Sequence, residues 1–150
     1  MPSRQLSTEL EITAPPARVF DAFGDFVKMS KQQSWLSIKS PDSITDASVG
    51  SRLDVTLTPA GGSPFSIQPE VVRNEPGAAF AWRGKLWGSN WLFVGEHSFQ
   101  FQPLPGNKTK LVHSEHFSGL LIPLLGSVLR QAEQEFNKFN QVLKAEAEGK

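Results

Sequence analysis

Leu111-Val112-His113-Ser114-Glu115-His116-Phe117-Ser118 runs through Gly119-Leu-Leu-Ile-Pro-Leu-Leu125 into a long pattern of apolar residues at helical spacing. The first part reads as a strand whose odd positions, Leu111, His113, Glu115 and Phe117, share one face. A core would claim that face, so a histidine and a carboxylate sit among apolar neighbours. A buried polar side chain without a partner costs about 1–3 kcal/mol, and the face therefore implies either a satisfied internal network or a polar spot in a cavity. After Gly119 the period changes. Leu124, Leu125, Val128, Leu129, Ala132, Phe136, Phe139, Asn140, Leu143 and Ala147 follow 3.6-residue spacing, with Arg130, Gln131, Glu133, Gln134, Lys138 and Lys144 largely opposite. This predicts one amphipathic helix of about 25 residues and roughly 37 Å, long enough to lie across a whole sheet.

Upstream, period-2 alternation dominates. Leu6, Thr8, Leu10 and Ile12 face one way and Gln5, Ser7, Glu9 and Glu11 the other, which reads as a half-buried strand. Ala14-Pro15-Pro16 opens a short helix with Val19, Phe20 and Phe23 on its apolar face, ended at Gly24, and a second helical piece is predicted around Asp25 to Gln33. Trp35 to Lys39 reads as a brief strand and Pro41 to Gly50 as a loop. Leu53, Val55 and Leu57 alternate inward, Pro59 to Ser63 turns the chain, and Phe65, Ile67, Pro69 and Val71 return on one strand, where Pro69 implies an edge or a bulge. After the turn at Asn74 to Gly77 come two further strands, with Phe80, Trp82, Gly84 and Leu86 inward on the first and Trp91, Phe93, Gly95, His97, Phe99 and Phe101 on the second. Pro103 to Lys108 then turns into the opening stretch.

Composition excludes several classes of function. The chain has 150 residues, the length of a single domain. Lys plus Arg number 15 and Asp plus Glu 15, without a basic run, so nucleic acid is not an expected partner. Cysteine is absent, which excludes a disulfide scaffold, a thiolate nucleophile and cysteine-ligated metal. No apolar run approaches the roughly 18–20 residues of a membrane span, and Met1 to Glu9 lacks a hydrophobic signal core, so a soluble cytoplasmic protein is expected. Asn107-Lys108-Thr109 fits the glycosylation acceptor pattern but is read as a turn. No nicotinamide, flavin or phosphate motif appears, and no cofactor is expected. No oligomeric state is assigned.

One strand, a short helical pair, a run of about six antiparallel strands and a long C-terminal helix make an α+β domain whose curved sheet wraps that helix. A strongly curved sheet cannot press all its concave face onto a helix, and the gap that remains is a pocket. The chain resembles the SRPBCC or START-like helix-grip superfamily, and within it the polyketide cyclase/dehydrase-like group. The resemblance spans nearly the whole chain. It is carried by Glu11-Ile-Thr-Ala-Pro-Pro-Ala-Arg-Val-Phe20, Phe80-Ala-Trp-Arg-Gly84, Phe93-Val-Gly-Glu-His97-Ser-Phe99 and His113-Ser-Glu-His-Phe-Ser-Gly-Leu-Leu-Ile-Pro-Leu-Leu125. It implies a sheet of about six to seven strands gripping the C-terminal helix, and a small hydrophobic, aromatic or polyketide-like ligand. Cyclisation or dehydration by proton transfer is implied as well. The superfamily also includes lipid carriers, receptors and chaperone-ATPase activators, so a non-enzymatic carrier or sensor and a protein-interaction module stand as alternatives. Tyrosine, often used by related cavities to orient a ligand, is absent here.

A hairpin through Pro103 to Asn107 places odd residues opposite odd ones, so His97 lies across from His113 or Glu115, depending on register. His97 and His113 are the candidate general acid and base, with Glu115 as their orienter. The bland alternative is a hydrogen-bonded network that fixes sheet to helix without chemistry. Trp35, Phe65, Trp82, Phe93, Phe99 and Phe117 are candidate ligand walls, and Asn140 can reach the cavity from the helix. By parity Glu96 and His116 face solvent, unless a bulge near Gly95 turns Glu96 inward. A metal site is not expected, because His113 and His116 lie on opposite faces of a strand. Trp87 and Trp91 read as rim packing or a lid, and Gly119 to Leu125 as buried chain or a gate.

Overall fold

The computed structural model describes residues 2–25, 36–40, 43–58 and 62–149. The chain forms β1 (Ser3–Ile12), α1 (Pro16–Gly24), β2 (Leu36–Ser40), β3 (Asp54–Leu57), β4 (Phe65–Ile67), β5 (Glu70–Glu75), β6 (Ala79–Lys85), β7 (Val94–Leu104), β8 (Lys108–Ser118) and α2 (Gly126–Ala147). The architecture is the expected α+β helix grip, with one correction. In place of a single sheet of six to seven strands, the strands divide into a five-stranded sheet, β1-β8-β7-β6-β5, and a three-stranded one, β2-β3-β4. The cause is Pro69. The return strand predicted from Phe65 through Val71 breaks there, because proline has no N–H for the ladder. Upstream of it β4 pairs with β3, and downstream β5 pairs with β6. The Pro69 carbonyl still accepts from the Leu53 N–H at 2.9 Å, and the Val71 N–H donates to the Ser51 carbonyl at 2.8 Å, so the two sheets stay joined at this corner.

The predicted loop after Pro41 contains one 3-10 turn, Ile44–Asp46, whose Ile44 is fully buried. Beyond Asp25, the helical piece predicted to Gln33 lies outside the described residues, as does Trp35.

Val19, Phe20 and Phe23 of α1 are buried as predicted, and the Phe23 ring meets those of Phe80, Phe99 and Phe101 at centroid distances of 5.5, 4.5 and 5.5 Å. The long helix spans 22 residues, about 33 Å at 1.5 Å per residue. It buries Leu129, Phe136, Phe139, Asn140, Leu143 and Ala147. Its start departs from the predicted stripe: Leu124 is 79% and Val128 54% exposed. Leu125 and Leu129 take the inward face there, and a shift of one residue rotates a helical side chain by about 100°. At the other end the Arg18 Nε donates to the Ala147 carbonyl at 2.6 Å, and the Thr13 N–H donates to Glu148 Oε2 at 2.7 Å, tying the last turn to the β1–α1 corner.

The β7–β8 hairpin closes on Leu104 opposite Lys108 through Pro105-Gly-Asn107, with Gly106 and Asn107 at φ 83° and 57°. Asn107 is thus the turn residue predicted. The segment read as a gate or as buried chain is stitched to the β6–β7 connection. The Leu120 N–H donates to the Trp91 carbonyl at 3.0 Å and the Leu121 N–H to the Leu92 carbonyl at 3.1 Å. Gly119 permits this approach. Its φ is +132°, and a Cβ there would stand 2.2 Å from the Leu92 carbonyl oxygen. Gly119→Ala is therefore expected to cost about 2–3 kcal/mol, lowering Tm by roughly 5–10 °C for a chain of this size. A thermal melt within about 1–2 °C of the parent would refute the close packing of these two segments.

Candidate functional site

Of the two registers left open by the sequence, the structure adopts the one that sets His97 opposite Glu115 and Phe99 opposite His113, while β1 places Thr8 beside His113. The pairing continues without a shift from Val94 to Leu104, so there is no bulge at Gly95. Glu96 accordingly stays on the outer face, where it accepts from Arg83 at 2.7 Å, and His116 is exposed. Gly95 instead provides room: a Cβ there would lie 3.1 Å from Glu115 Oε2.

Five polar groups form one line across the sheet and into the helix. Glu115 Oε1 lies 3.3 Å from His97 Nδ1. The Nε2 atoms of His97 and His113 share a hydrogen bond. His113 Nδ1 meets Asn140 Oδ1 at 2.7 Å, Asn140 Nδ2 donates to Thr8 Oγ1 at 2.8 Å, and the Thr8 hydroxyl donates to the His113 carbonyl at 3.0 Å. The imidazoles lie within aromatic layers. His113 stacks between Phe99 and Phe136, at centroid distances of 4.4 and 4.3 Å, and His97 stacks on Phe99 at 4.9 Å.

Donor and acceptor capacities fix the proton order along this line. Thr8 spends its one proton on a carbonyl, so Asn140 must donate to it and turn its oxygen toward His113. His113 then carries its proton on Nδ1 and accepts at Nε2. His97 must donate from Nε2, which leaves its Nδ1 a lone pair facing Glu115. Such a pair suits a protonated carboxyl, and burial agrees. Desolvation raises the Glu115 pKa to about 8. The same effect lowers His113 to about 3 against a smaller opposing contribution from Asn140, and holds His97 well below its ordinary value with help from the neighbouring His113. At neutral pH the line is uncharged, with its one acidic proton on Glu115.

The Glu115 carboxyl borders a cavity of about 240 Å3 between the sheets and α2. Trp82, Phe93 and Phe117 border it, Phe65 stands 47% exposed at its mouth, and His97 and Glu115 provide its titratable wall, with Lys85 at the rim. Three candidates do not border it. Phe99, His113 and Asn140 are buried one layer behind, Phe99 backing the imidazoles and Asn140 holding His113 rather than reaching a ligand. Thr8, Phe136 and Gly95 belong to the site and were not predicted for it. Thr8 was legible only as an inward polar residue on β1, Phe136 only as core, and Gly95 only as an inward position and a possible bulge. Trp91, 54% exposed, lies outside the cavity wall. Among the described residues no three His, Asp or Glu side chains gather as metal ligands.

The fold and much of the sequence pattern have known counterparts. The crystal structure of Ara h 8.0201 superposes with a TM-score of 0.74 at 15% identity, covering 99% of this chain and all of that one. Protein CV1439 from Chromobacterium violaceum gives 0.71 at 18% identity, covering 96% and 97%, and TTHA0849 from Thermus thermophilus gives 0.69 at 14% identity, covering 96% and 97%. No curated protein sequence matches. The family model described as polyketide cyclase / dehydrase and lipid transport matches residues 3–148, nearly the full length over which the sheet grips the helix, and the chain belongs to that family.

Proposed function

We propose that the chain is a single cytoplasmic ligand-binding domain over residues 1–150 that takes a small hydrophobic, aromatic or polyketide-like molecule into the cavity and catalyses acid/base cyclisation or dehydration there without a cofactor. The observation that carries this reading is a neutral carboxylic acid, Glu115, its side chain only 15% exposed, presented with His97 on an otherwise apolar wall. A cavity of about 150 Å3 accommodates benzene; at about 240 Å3 this one suits a bicyclic ring system and is far too small for a diacyl lipid. Glu115 gives its proton to a substrate oxygen as negative charge or a leaving hydroxyl develops, and the resulting carboxylate takes one from the activated carbon, so the residue ends as it began. His97 Nδ1 steadies the carboxyl between the two transfers. His113, Asn140 and Thr8 act as positioning residues that keep that lone pair in place, a revision of the general acid or base role that the sequence pattern suggests for His113. Trp82, Phe93 and Phe117 hold the substrate and exclude water.

A second reading is a protein-interaction module. It is favoured by a cavity somewhat below the ~300 Å3 at which ligand pockets usually begin, and by the exposed apolar side chains of Trp91, Leu120 and Leu124. Native mass spectrometry of the protein purified from its own host separates the two: a retained small molecule is expected, and a ligand-free chain in a stoichiometric protein complex would overturn the first reading. With that molecule as substrate, Glu115→Gln is expected to lower turnover by about 10²–10⁴-fold while affinity changes by less than about threefold. Equal loss of both, or of neither, identifies a carrier. His113→Phe is expected to lower turnover likewise with affinity largely kept.

The protonation states also set a stability profile. Between pH 4.5 and 8 the unfolded chain has lost the Glu115 proton and the folded one keeps it, so this group's contribution falls as pH rises. The histidines act oppositely. Below pH 6.5 they bind protons when unfolded and resist them when folded, so their contribution grows as pH rises to 6.5 and is constant above it. Thermal stability is expected to peak near pH 6.5, and Glu115→Gln is expected to remove the decline from pH 6.5 to 8 while leaving the acid limb. A decline of the same size in the variant would refute the neutral Glu115.

A further inference from the structure

The corner at Pro69 leaves a break between the two sheets, beside the cavity. The β5–β6 ladder begins at Glu70 opposite Arg83, so Gly84 and Lys85 of β6 and Phe65–Ile67 of β4 face each other without ladder hydrogen bonds. Side chains alone bridge the split: a Cβ on Gly84 would lie 3.6 Å from Ile67 Cδ1. On the outer side of this split is a second hollow of about 550 Å3, polar where the inner cavity is apolar. Phe65, Ile67, Lys85 and Leu86 border both spaces, so the two meet across one rim.

The outer hollow is cationic. Arg52, Arg83 and Lys85 line it against one carboxylate, Glu70. Arg83 is engaged by Glu96 at 2.7 Å, and Arg52 Nη1 donates to the uncharged Gln68 carbonyl at 3.1 Å; Glu70 stands opposite Arg52 in an isolated β-bridge, with no ion pair between their side chains among the described residues. Asp54 lies nearby but is bonded through the Gln68 amide at 3.5 Å. The Lys85 side chain, on the shared rim, has no hydrogen bond or ion pair among the described residues. An ammonium on the shared rim and a guanidinium in the outer hollow, neither in an ion pair among the described residues, match a ligand with an apolar body and one anionic end.

We infer that the ligand of the inner cavity is an amphiphilic carboxylic acid that lies through the split between β4 and β6, its ring system inside and its carboxylate outside on Lys85 and Arg52. The inference rests on the cavity being a ligand site. It also fits the inner wall, where Glu115 is already a neutral acid and a second, ionised carboxyl would be desolvated without a cation beside it.

Titration calorimetry with 4-phenylbutanoate to 8-phenyloctanoate and the corresponding phenylalkanols at pH 7 tests this. At the best chain length the acid is expected to bind about fivefold or more tighter than its alcohol, as one to two rim ion pairs allow, and the advantage is expected to shrink as salt rises. Lys85→Gln combined with Arg52→Gln is expected to abolish the advantage while the alcohol's affinity stays unchanged, which also shows that the variant is folded. Lys85→Glu is expected to transfer the preference to the phenylalkylamine. Equal binding of acid and alcohol by the parent, or an acid preference that survives both substitutions, would overturn the anionic end and leave the cavity reading intact. If neither series binds, the cavity reading falls together with this one.

Discussion

The amide of Asn140 has one donor end and one acceptor end, and the structure uses each once, on a different strand. Oδ1 meets His113 of β8 and Nδ2 meets Thr8 of β1. Turning α2 by one residue, about 100°, would take both ends out of reach and leave buried groups unpaired at about 1–3 kcal/mol each. Slipping β1 by one residue would present Ser7 or Glu9 where Thr8 now stands. Apolar packing tolerates small rotations and exchanges; this pairing does not, so it sets helix rotation and strand register together. The proton order of the whole line follows from it, ending on the lone pair that faces Glu115.

The cavity is made as much by what side chains lack as by what they fill. Gly84 stands opposite Gly95 in the β6–β7 ladder, so two adjacent wall positions have no Cβ, and the Glu115 carboxyl occupies part of that space. Ala132 leaves the facing turn of α2 without a bulky side chain to fill the space. Pro69 ends one ladder and begins the next. Around these omissions the core divides into two apolar clusters. Phe99 and Phe139 belong to the larger and Phe136 to the smaller, and the imidazoles lie stacked in the seam between them. The polar line is thus shielded by aromatic faces on both sides and meets open space at its Glu115 end.

Period and parity carried a long way in this chain. The alternation of Leu111, His113, Glu115 and Phe117 put the right four side chains on the inner face, and the stripe from Leu129 to Ala147 oriented the helix correctly. Both are signals that many residues repeat. The division into two sheets was harder to read, because Pro69 is compatible with an edge, a bulge or a change of partner, and only the position of β6 decides among them. The depth of each site residue was harder still. His97 and His113 have the same parity, yet one borders the cavity and the other is buried behind it, since depth depends on how far the sheet stands from the helix. Gly95 has no side chain to announce a contact, so its role was visible only once the Glu115 carboxyl was placed. Leu124 fitted the helical period and is still exposed, and Val128 stands half exposed at the cavity wall rather than in the core, because a stripe read without a fixed starting phase drifts at its ends.

Whether Glu115 and His97 are a neutral pair or an ion pair depends on the cavity itself. At an effective dielectric near 20, two unit charges about 4 Å apart attract by about 4 kcal/mol, whereas withdrawing both from water costs several kcal/mol per ion. With Phe99, Phe136 and Trp82 around the imidazole, desolvation wins and the proton stays on oxygen. The margin is only the difference of these terms, and one face of the pair is the cavity. An apolar occupant would widen the margin by expelling water and keep the proton on Glu115. An occupant that places a developing oxyanion against Glu115 narrows it and draws the proton out. The contents of the cavity therefore act directly on the position of the proton, and the line behind it, with every donor matched, keeps His97 from turning away in response.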